Sequence, residues 1–388
     1  MIAYDKTELE NQFLIDEAHS LQKANFISKD EYKKIVAVLP TLKSNSNILV
    51  RIGFSFLALL LYTSFCGFIS LFGFDFIEHN YEIFIFIYAI IGFVGLEFFV
   101  RQKYYGHGLD DTFLIGSQLV LAIAVGVVSD GYELEIALIA TIISLISYLR
   151  YVNLISVLIF CVSSTATVAY SLLELGSIGK TILPFVLMLF AIGIYFLCRK
   201  FTQKVRFPFY HKGLLFLKNF GLILFYCAGN YFVVRELSEI LLGIELTPNM
   251  DIPFAWVFYA FTSIVPAFYI FYALKTQNRT QLWIGFLTTV SSIFTIRYYH
   301  EIIPTAIALT LGGLLLFAIA YFSIKKIKDK TTGITFQPDR FINTNDFIHT
   351  EAFILTSQFG LKPEAPMAES PMEFGGGGFS GGGSDGSY

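Results

Sequence analysis

The sequence predicts an all-helical integral membrane protein with about ten transmembrane helices. Of its 388 residues, 55% are hydrophobic and only 15% are charged, whereas soluble domains carry roughly 25% charged residues. The apolar residues are gathered into long runs. The lysines and arginines between these runs alternate between rich and poor loops, as the positive-inside rule expects of a polytopic protein.

The first segment, residues 1–47, is too polar to be a signal peptide and predicts a small cytosolic helical hairpin. Its first helix carries an apolar stripe at helical spacing, formed by Leu14, Ala18 and Leu21. Ser28 and Glu31 have the spacing of a capping box and predict the start of the second helix, which Pro40 ends. The apolar face of this second helix consists of Ile35, Val36 and Leu39.

Residues 48–326 form the predicted transmembrane domain, because a helix of about 20 apolar residues spans the hydrocarbon core. The predicted spans are 52–74, 82–100, 112–129, 133–149, 152–173, 181–198, 214–234, 252–274, 281–297 and 302–324. The fourth and fifth are separated only by Arg150 and Tyr151. A single helix through both would be about 60 Å long, so we expect a tight hairpin there.

Charge gives an independent test of the number of spans. With ten spans both termini share one side, and the flanks on that side hold 21 lysines and arginines against three on the other. One misplaced span would reverse every later loop. The sequence therefore predicts that both termini are cytoplasmic, in the cytoplasmic (inner) membrane of a prokaryote.

The stretch LQKANFISKDEYKKIVAVL, placed ahead of many spans, resembles a family of uncharacterised prokaryotic membrane proteins classed as a "domain of unknown function". Members of that family carry a similar hairpin before their spans. The resemblance covers about 40 residues and the topology. It implies a class of membrane protein and brings no site residues with it.

The tail divides at residue 362. In 327–361 a phenylalanine recurs every six residues, at Phe341, Phe347, Phe353 and Phe359. This spacing puts every phenylalanine on one face of a strand, while the same residues also permit a surface helix capped at Asn345, and both readings stay open. Residues 362–388 are rich in glycine and serine and are predicted to be disordered. The G-x-S-x-G match at Ser380 lacks the strand and helix that a nucleophile elbow needs.

Polar residues inside the predicted spans are the candidates for a functional site, because burying them in lipid is costly. The transport-path candidates are Glu97, Ser163, Thr167, Asn230, Thr289 and Ser292. Glu97 predicts either a local ion pair with Arg101, four residues on, or a proton-handling carboxylate. The hydroxyl residues serve either helix packing or a polar path. Pro266 is expected to kink the eighth span.

Two loops carry further charged residues. The strongest basic patch consists of Arg199, Lys200, Lys204, Arg206 and Lys212 and is expected to set topology and attract anionic lipid headgroups. In YYGHGLDD, Asp110 and Asp111 begin the third span, where acidic residues cap a helix N-terminus. With His107 they form only a weak metal constellation, and we predict no metal site.

These observations narrow the function without naming a substrate. The sequence has no Walker A motif, no H-E-x-x-H and no dinucleotide fingerprint, so no cofactor is predicted. No basic block stands beside aromatic platforms, so no nucleic-acid partner is predicted either. The lead hypothesis is a secondary transporter or channel-like permease in the lipid bilayer. The alternatives are a scaffold or sensor that docks partners through 5–40 and 340–361, and an intramembrane enzyme.

Overall fold

The computed structural model describes residues 2–299 except 24–25, 46, 73, 205–207, 243–251 and 277, together with eight isolated residues between 307 and 325. The chain divides into two units, Met1–Pro338 and Asp339–Tyr388. The second unit, the whole tail from 327 and most of the predicted tenth span lie outside the described residues.

The described part of the chain consists almost entirely of helices joined by short loops. Its helices are α1 (Lys6–Lys23), α2 (Lys29–Val38), α3 (Ile48–Phe72), α4 (Phe74–Arg101), α5 (Leu109–Val128), α6 (Glu133–Tyr151), α7 (Leu154–Leu173), α8 (Ser177–Lys204), α9 (His211–Gly229), α10 (Tyr231–Leu242), α11 (Ala255–Thr276) and α12 (Arg279–Tyr299). A 3-10 turn at Pro208–Tyr210 precedes α9.

Eight of the described helices are long and apolar enough to cross a membrane, which confirms the membrane fold class. They are α3, most of α4, α5, α6, α7, most of α8, α9 with its preceding turn, and α11. Helix α12, at the predicted ninth span, has 21 residues. Hydroxyl and amide side chains lower its hydropathy, and it is not among the eight.

The N-terminal hairpin of α1 and α2 lies on one end of this bundle, which we call the hairpin face; the opposite end is the far face. The backbone N–H of Ala3 donates to the carbonyl of Arg150 at 2.9 Å. Lys212 pairs with Asp16 on α1 at 2.6 Å, and Lys103 pairs with Glu8. These contacts fix the hairpin to the loop after α4, the last turn of α6 and the first turn of α9.

The two helices of the hairpin differ in how many of their side chains are buried. Ser28 and Glu31 form the capping box that the sequence predicts. On α1 the buried apolar residues are Leu9, Ile15 and Ala18, whereas Leu14 is 50% exposed. Of the predicted stripe, Ala18 is buried, Leu21 is half-buried and only Leu14 was wrongly placed. Helix α2 buries none of its residues.

The turn between α6 and α7 forms the predicted tight hairpin, shifted by two residues. Val152 adopts a left-handed conformation with φ 54°. The side chain of Asn153 then accepts from the N–H of Ile155 at 2.8 Å and caps α7. Asn is a strong helix cap, so the chain ends α6 after Tyr151 instead of before Arg150.

The predicted seventh span, 214–234, is not one helix. Helix α9 ends at Gly229, Asn230 lies in an extended conformation, and α10 begins at Tyr231. This break lies at the far face, since α9 starts beside α1 at the hairpin face. Its polar surroundings make it the candidate site.

Candidate functional site

The break between α9 and α10 is held against α11 by close packing. A Cβ atom added to Gly229 would lie 2.3 Å from a ring carbon of Phe261. Only glycine permits this approach of α9 to the ring. At the next residue the backbone leaves the helical region with φ −73° and ψ 128°, so the helix stops where a side chain is absent.

Asn230 replaces the helical hydrogen bonds that the break removes. Its Oδ1 accepts from the N–H of Val233 at 3.3 Å, which caps α10. Its Nδ2 donates to the hydroxyl of Tyr226 at 2.8 Å and to the hydroxyl of Thr295 on α12 at 3.2 Å. Asn230 is 1% exposed, so all of these bonds are shielded from solvent.

Pro266 supplies a second gap in the helical hydrogen bonds, on α11. Proline has no N–H and cannot bond the carbonyl four residues earlier. That carbonyl belongs to Thr262, and the Ser292 hydroxyl of α12 donates to it at 2.5 Å. Within membranes such freed groups are satisfied by neighbouring helices and hydroxyl side chains. Helix α11 continues through Pro266 to Thr276.

Thr262 joins the two gaps. Its hydroxyl accepts from the N–H of Tyr231, the first residue of α10, at 3.0 Å. The Tyr226 and Ser292 hydroxyls lie 2.8 Å apart. A single network therefore connects the end of α9, the start of α10, the proline position of α11 and the face of α12. We call Tyr226, Asn230, Thr262, Ser292 and Thr295 the break network.

The break network is neutral and closed. Its members are one amide and four hydroxyls, and each is at most 6% exposed. Hydrogen bonds between neutral groups contribute about 1 kcal/mol each, while a buried amide or hydroxyl without a partner costs several times that in an apolar medium. The network is thus stable as a set, and the loss of one member leaves others without partners.

Aromatic rings and a guanidinium cover the network towards the far face. Tyr231 stacks on Tyr259 with ring centroids 3.9 Å apart. Arg235 donates to the Tyr231 hydroxyl at 2.9 Å, and its guanidinium lies 4.9 Å from the ring centroid of Tyr299. The Tyr299 hydroxyl in turn donates to Glu236 at 3.0 Å.

Of the six transport-path candidates, the structure brings Asn230 and Ser292 together. Thr289, also on α12, donates to the carbonyl of Gly285 at 2.7 Å, within its own helix. Thr167 lies 3.1 Å from the Thr141 hydroxyl and joins α7 to α6. Ser163 donates to the carbonyl of Phe160 at 3.3 Å. These three residues make intrahelical or packing contacts and do not bond to the break network.

Glu97 has a different partner from the one that local spacing suggests. Its Oε1 accepts from Arg150 at 2.7 Å and from the Tyr151 hydroxyl at 2.6 Å. Both partners are on α6, and the ion pair with Arg101 is replaced by this contact. The Glu97–Arg150 ion pair lies at the edge of an apolar groove between α4 and α6. Phe93 and Ile146 help to line this groove.

A second buried cluster at the hairpin face was not identified from the sequence as a network. Asp111 is 3% exposed and pairs with Arg51 at 2.6 Å. It also accepts from Asn153 Nδ2 at 2.7 Å and from the N–H of Gly108 at 3.2 Å. The predicted capping role is present, and in addition the carboxylate links α3, α5 and α7.

The loop above this cluster holds His107 between two aromatic rings. The ring centroids of Phe54 and Tyr104 lie 4.3 and 4.8 Å from that of His107. Desolvation lowers the pKa of His107 below its ordinary value. Asp110 accepts from the N–H of Gly106 at 2.7 Å and shapes this loop. Among the described residues no group of three His, Cys, Asp or Glu side chains could hold a metal ion.

The basic patch is divided between exposed cations and an ion pair. Arg199 and Lys200 are exposed, and Lys212 binds Asp16. The side chain of Lys204 and the whole of Arg206 lie outside the described residues.

Comparison with known proteins finds no matching family model, no matching curated protein and no matching solved structure.

Proposed function

We propose that this protein is a permease of the cytoplasmic membrane that carries a small neutral polar solute past the break network. The observation that carries the proposal is the interruption of α9 and α10 at Asn230, bonded to the freed carbonyl of Thr262 through Tyr226 and Ser292. The break lies at the far-face end of the span formed by α9, and its polar side chains are buried in protein. Discontinuous helices commonly form the binding sites of secondary transporters.

The chemistry of the network favours a neutral solute. Its groups are an amide, hydroxyls and a backbone carbonyl, which donate and accept hydrogen bonds without a formal charge. In the described state these groups bond to one another, which corresponds to a closed site. An opening movement of α10 would exchange those bonds for bonds to the solute, at little net cost.

The proposed orientation places the hairpin face in the cytoplasm and the break network near the opposite surface. Alternating helices put Arg101, Arg150, Arg199, Lys212 and Lys275 at the hairpin face. Lysines and arginines are enriched in cytoplasmic flanks. The network then serves as the outer part of a path, with Tyr231 and Tyr299 beside its entrance.

Flux through reconstituted protein tests this function. The full chain is incorporated into liposomes, and radiolabelled neutral amino acids, sugars and polyols are supplied outside, with monocarboxylates and Na⁺ as charged probes. We expect protein-dependent uptake of one neutral class and a loss of about tenfold in Asn230→Ala, the kinetic equivalent of about 1.4 kcal/mol. Uptake no faster than in protein-free liposomes for every neutral class would contradict the proposal.

Thr289→Ala is the matched control for this experiment. Thr289 is a hydroxyl residue of α12 that bonds only within its helix, whereas Ser292, three residues on, belongs to the network. We expect Ser292→Ala to slow uptake and Thr289→Ala to leave it within about twofold of the parent protein, because only the former removes a bond between helices. If both variants slowed uptake equally, the result would show that the solute does not pass the break network.

A second candidate function, a docking scaffold, is favoured by the exposed surface formed by α2 and the turn before it. Val38 is 77% exposed and Phe26 is 65% exposed, while α1 beneath is fixed to the bundle. A photo-crosslinking residue at Val38 tests this function in cells, with the same residue at exposed Asp30 as control. One reproducible adduct at Val38 that Val36→Glu abolishes supports docking, and equal labelling at both positions opposes it.

A further inference from the structure

A pocket at the hairpin end of α8, α9 and α11 combines a cation with aromatic walls. Its volume is about 220 Å³, and Tyr195, Arg199, Leu222, Phe268, Tyr272 and Gln281 are among its lining residues. The Tyr269 hydroxyl donates to the carbonyl of Leu222 at 2.9 Å and closes its inner end. The pocket lies in the half of the bundle next to the hairpin face.

One cation lines this pocket and a second lies about one helical turn from its lining residues, and neither has an acidic partner among the described residues. Arg199 lines it and is exposed. Lys218 is four residues before Leu222 on α9 and so lies one turn nearer the hairpin face on the same side of the helix. Gly221 of α9 packs against Tyr195 of α8. The antiparallel register of the two helices therefore places Lys218 within about one helical turn of Arg199 along the bundle. The ion pairs found in the described part of the chain include neither residue.

Lys218 lies well inside its helix. It is seven residues beyond the start of α9 at His211, which is about 10 Å along the axis. A cation at this depth is costly, and a like charge beside it adds to that cost. An anion between Arg199 and Lys218 would remove both penalties, and charge-assisted bonds to phosphate are among the stronger hydrogen bonds.

The outer walls of the pocket are apolar and open to the surrounding lipid. Phe196 and Phe268 are each 58% exposed and lie on α8 and α11 at the sides of the pocket. Such walls suit a hydrocarbon chain rather than a soluble anion. Tyr195, Tyr272 and Gln281 also line the pocket, so polar side chains are available where a headgroup would meet the walls.

We propose that this pocket binds one acidic phospholipid from the leaflet on the hairpin side. Arg199 and Lys218 hold its phosphate, and one acyl chain lies against Phe196 and Phe268. The site is distinct from the break network and does not depend on the permease function. It stabilises the junction of α8, α9 and α11 by neutralising the two cations.

Native mass spectrometry of the full chain in detergent tests the site. Phosphatidylglycerol and phosphatidylcholine with identical acyl chains are titrated at equal concentration. We expect one phosphatidylglycerol to be retained with a preference of about tenfold over phosphatidylcholine. Arg199→Gln combined with Lys218→Gln removes this preference, and inorganic phosphate alone does not compete because it has no chain to occupy the walls.

Lys200→Gln is the matched control, because Lys200 is an exposed cation next to Arg199 and is not among the pocket-lining residues. It should keep the preference, as should Arg199→Lys, which retains the charge. Equal binding of the two lipids, or an unchanged preference in the double variant, overturns the proposal. An equal loss in Lys200→Gln would show diffuse attraction to the basic patch and would also overturn the proposal. Displacement of the lipid by inorganic phosphate would show that the pocket binds a soluble anion and would overturn it as well. Unchanged helicity and gel-filtration elution exclude misfolding as the cause of a loss.

Discussion

Glu97 on α4 accepts a hydrogen bond from Arg150 on α6 at 2.7 Å, although Arg101 lies one helical turn away from it on α4. The Tyr151 hydroxyl donates to the same carboxylate oxygen at 2.6 Å. The contact joins two residues that are 53 positions apart in the chain, beside a groove that is open to lipid. A carboxylate held in this way serves as an anchor between helices more readily than as a proton carrier.

Replacing Arg150 should therefore weaken the bundle more than replacing Arg101. Both side chains of the pair are about one-third exposed, so we expect Arg150→Gln to cost about 1 kcal/mol of unfolding free energy. Arg101→Gln should change it by less than about 0.5 kcal/mol. Thermal unfolding in detergent, followed by circular dichroism, measures both. An equal loss in the two variants would show that Glu97 uses Arg101 after all.

Asp111 should be far less tolerant of substitution than an exposed aspartate. Asp111→Asn leaves Arg51 without its charged partner. The Asp111 carboxylate is buried but the Arg51 side chain is 37% exposed, so we expect the loss of this charged hydrogen bond to cost about 1.5–3 kcal/mol. We expect a large fall in the unfolding temperature or loss of expression. Asp130→Asn, at an exposed turn of the far face with a left-handed backbone, is the control. A mild effect of Asp111→Asn would show that the cluster contributes little.

Acidification should destabilise the hairpin face through His107. Desolvation lowers the pKa of this imidazole, so the folded state favours the neutral form, and stability falls as the pH drops from the unfolded value of about 6.5. Asp111 opposes the shift, and Lys43 adds to it. The pKa of His19 on α1 is lowered in the same way.

The unfolding temperature measured from about pH 7.5 down to about pH 5.5 tests this. As the pH falls, we expect the unfolding temperature of His107→Gln to rise relative to that of the parent protein, and to rise further relative to it when His19→Gln is added. A pH dependence that both substitutions leave unchanged would assign the titration to other groups.

Gly229 on α9 should tolerate substitution by alanine less well than Gly193 on α8. A Cβ atom at Gly229 would meet the ring of Phe261 at 2.3 Å, while one at Gly193 would meet nothing within 4 Å. Overpacking typically costs about 1–3 kcal/mol, whereas alanine is favoured over glycine in a helix by about 1 kcal/mol. Gly229→Ala should thus lower the unfolding temperature and Gly193→Ala should hold or raise it. The same sign for both would mean that α9 and α11 separate at little cost.

The features that the sequence predicts correctly are those that depend on local patterns. The apolar runs, the capping box at Ser28 and the turn near Arg150 follow from residues close together in the chain. The partner of Glu97 does not, because Arg101 satisfies the local rule and only the packing of α4 and α6 brings Arg150 nearer. For the same reason Leu14 could be placed on a helix but not on its buried side.

The break network was predictable in part. Asn230 and Ser292 could be named as buried polar residues, and Gly229-Asn230 is itself a helix-ending signal that the apolar run around it obscures. Pro266 was expected to kink α11. Its consequence here, a Thr262 carbonyl that accepts from Ser292 on the neighbouring helix, requires knowledge of which helices are neighbours. Likewise, Arg51, Asp111 and Asn153 come from three distant segments.

The orientation of the bundle in a membrane is the claim on which the permease and lipid proposals both depend. Single cysteines at Asp130 and Lys200, in a chain whose four native cysteines are replaced by alanine, are treated with a membrane-impermeant maleimide in intact cells. The account predicts labelling at position 130, and at position 200 only after the cells are opened. Labelling at position 200 in intact cells, or recovery of the chain in the soluble fraction without detergent, would contradict it.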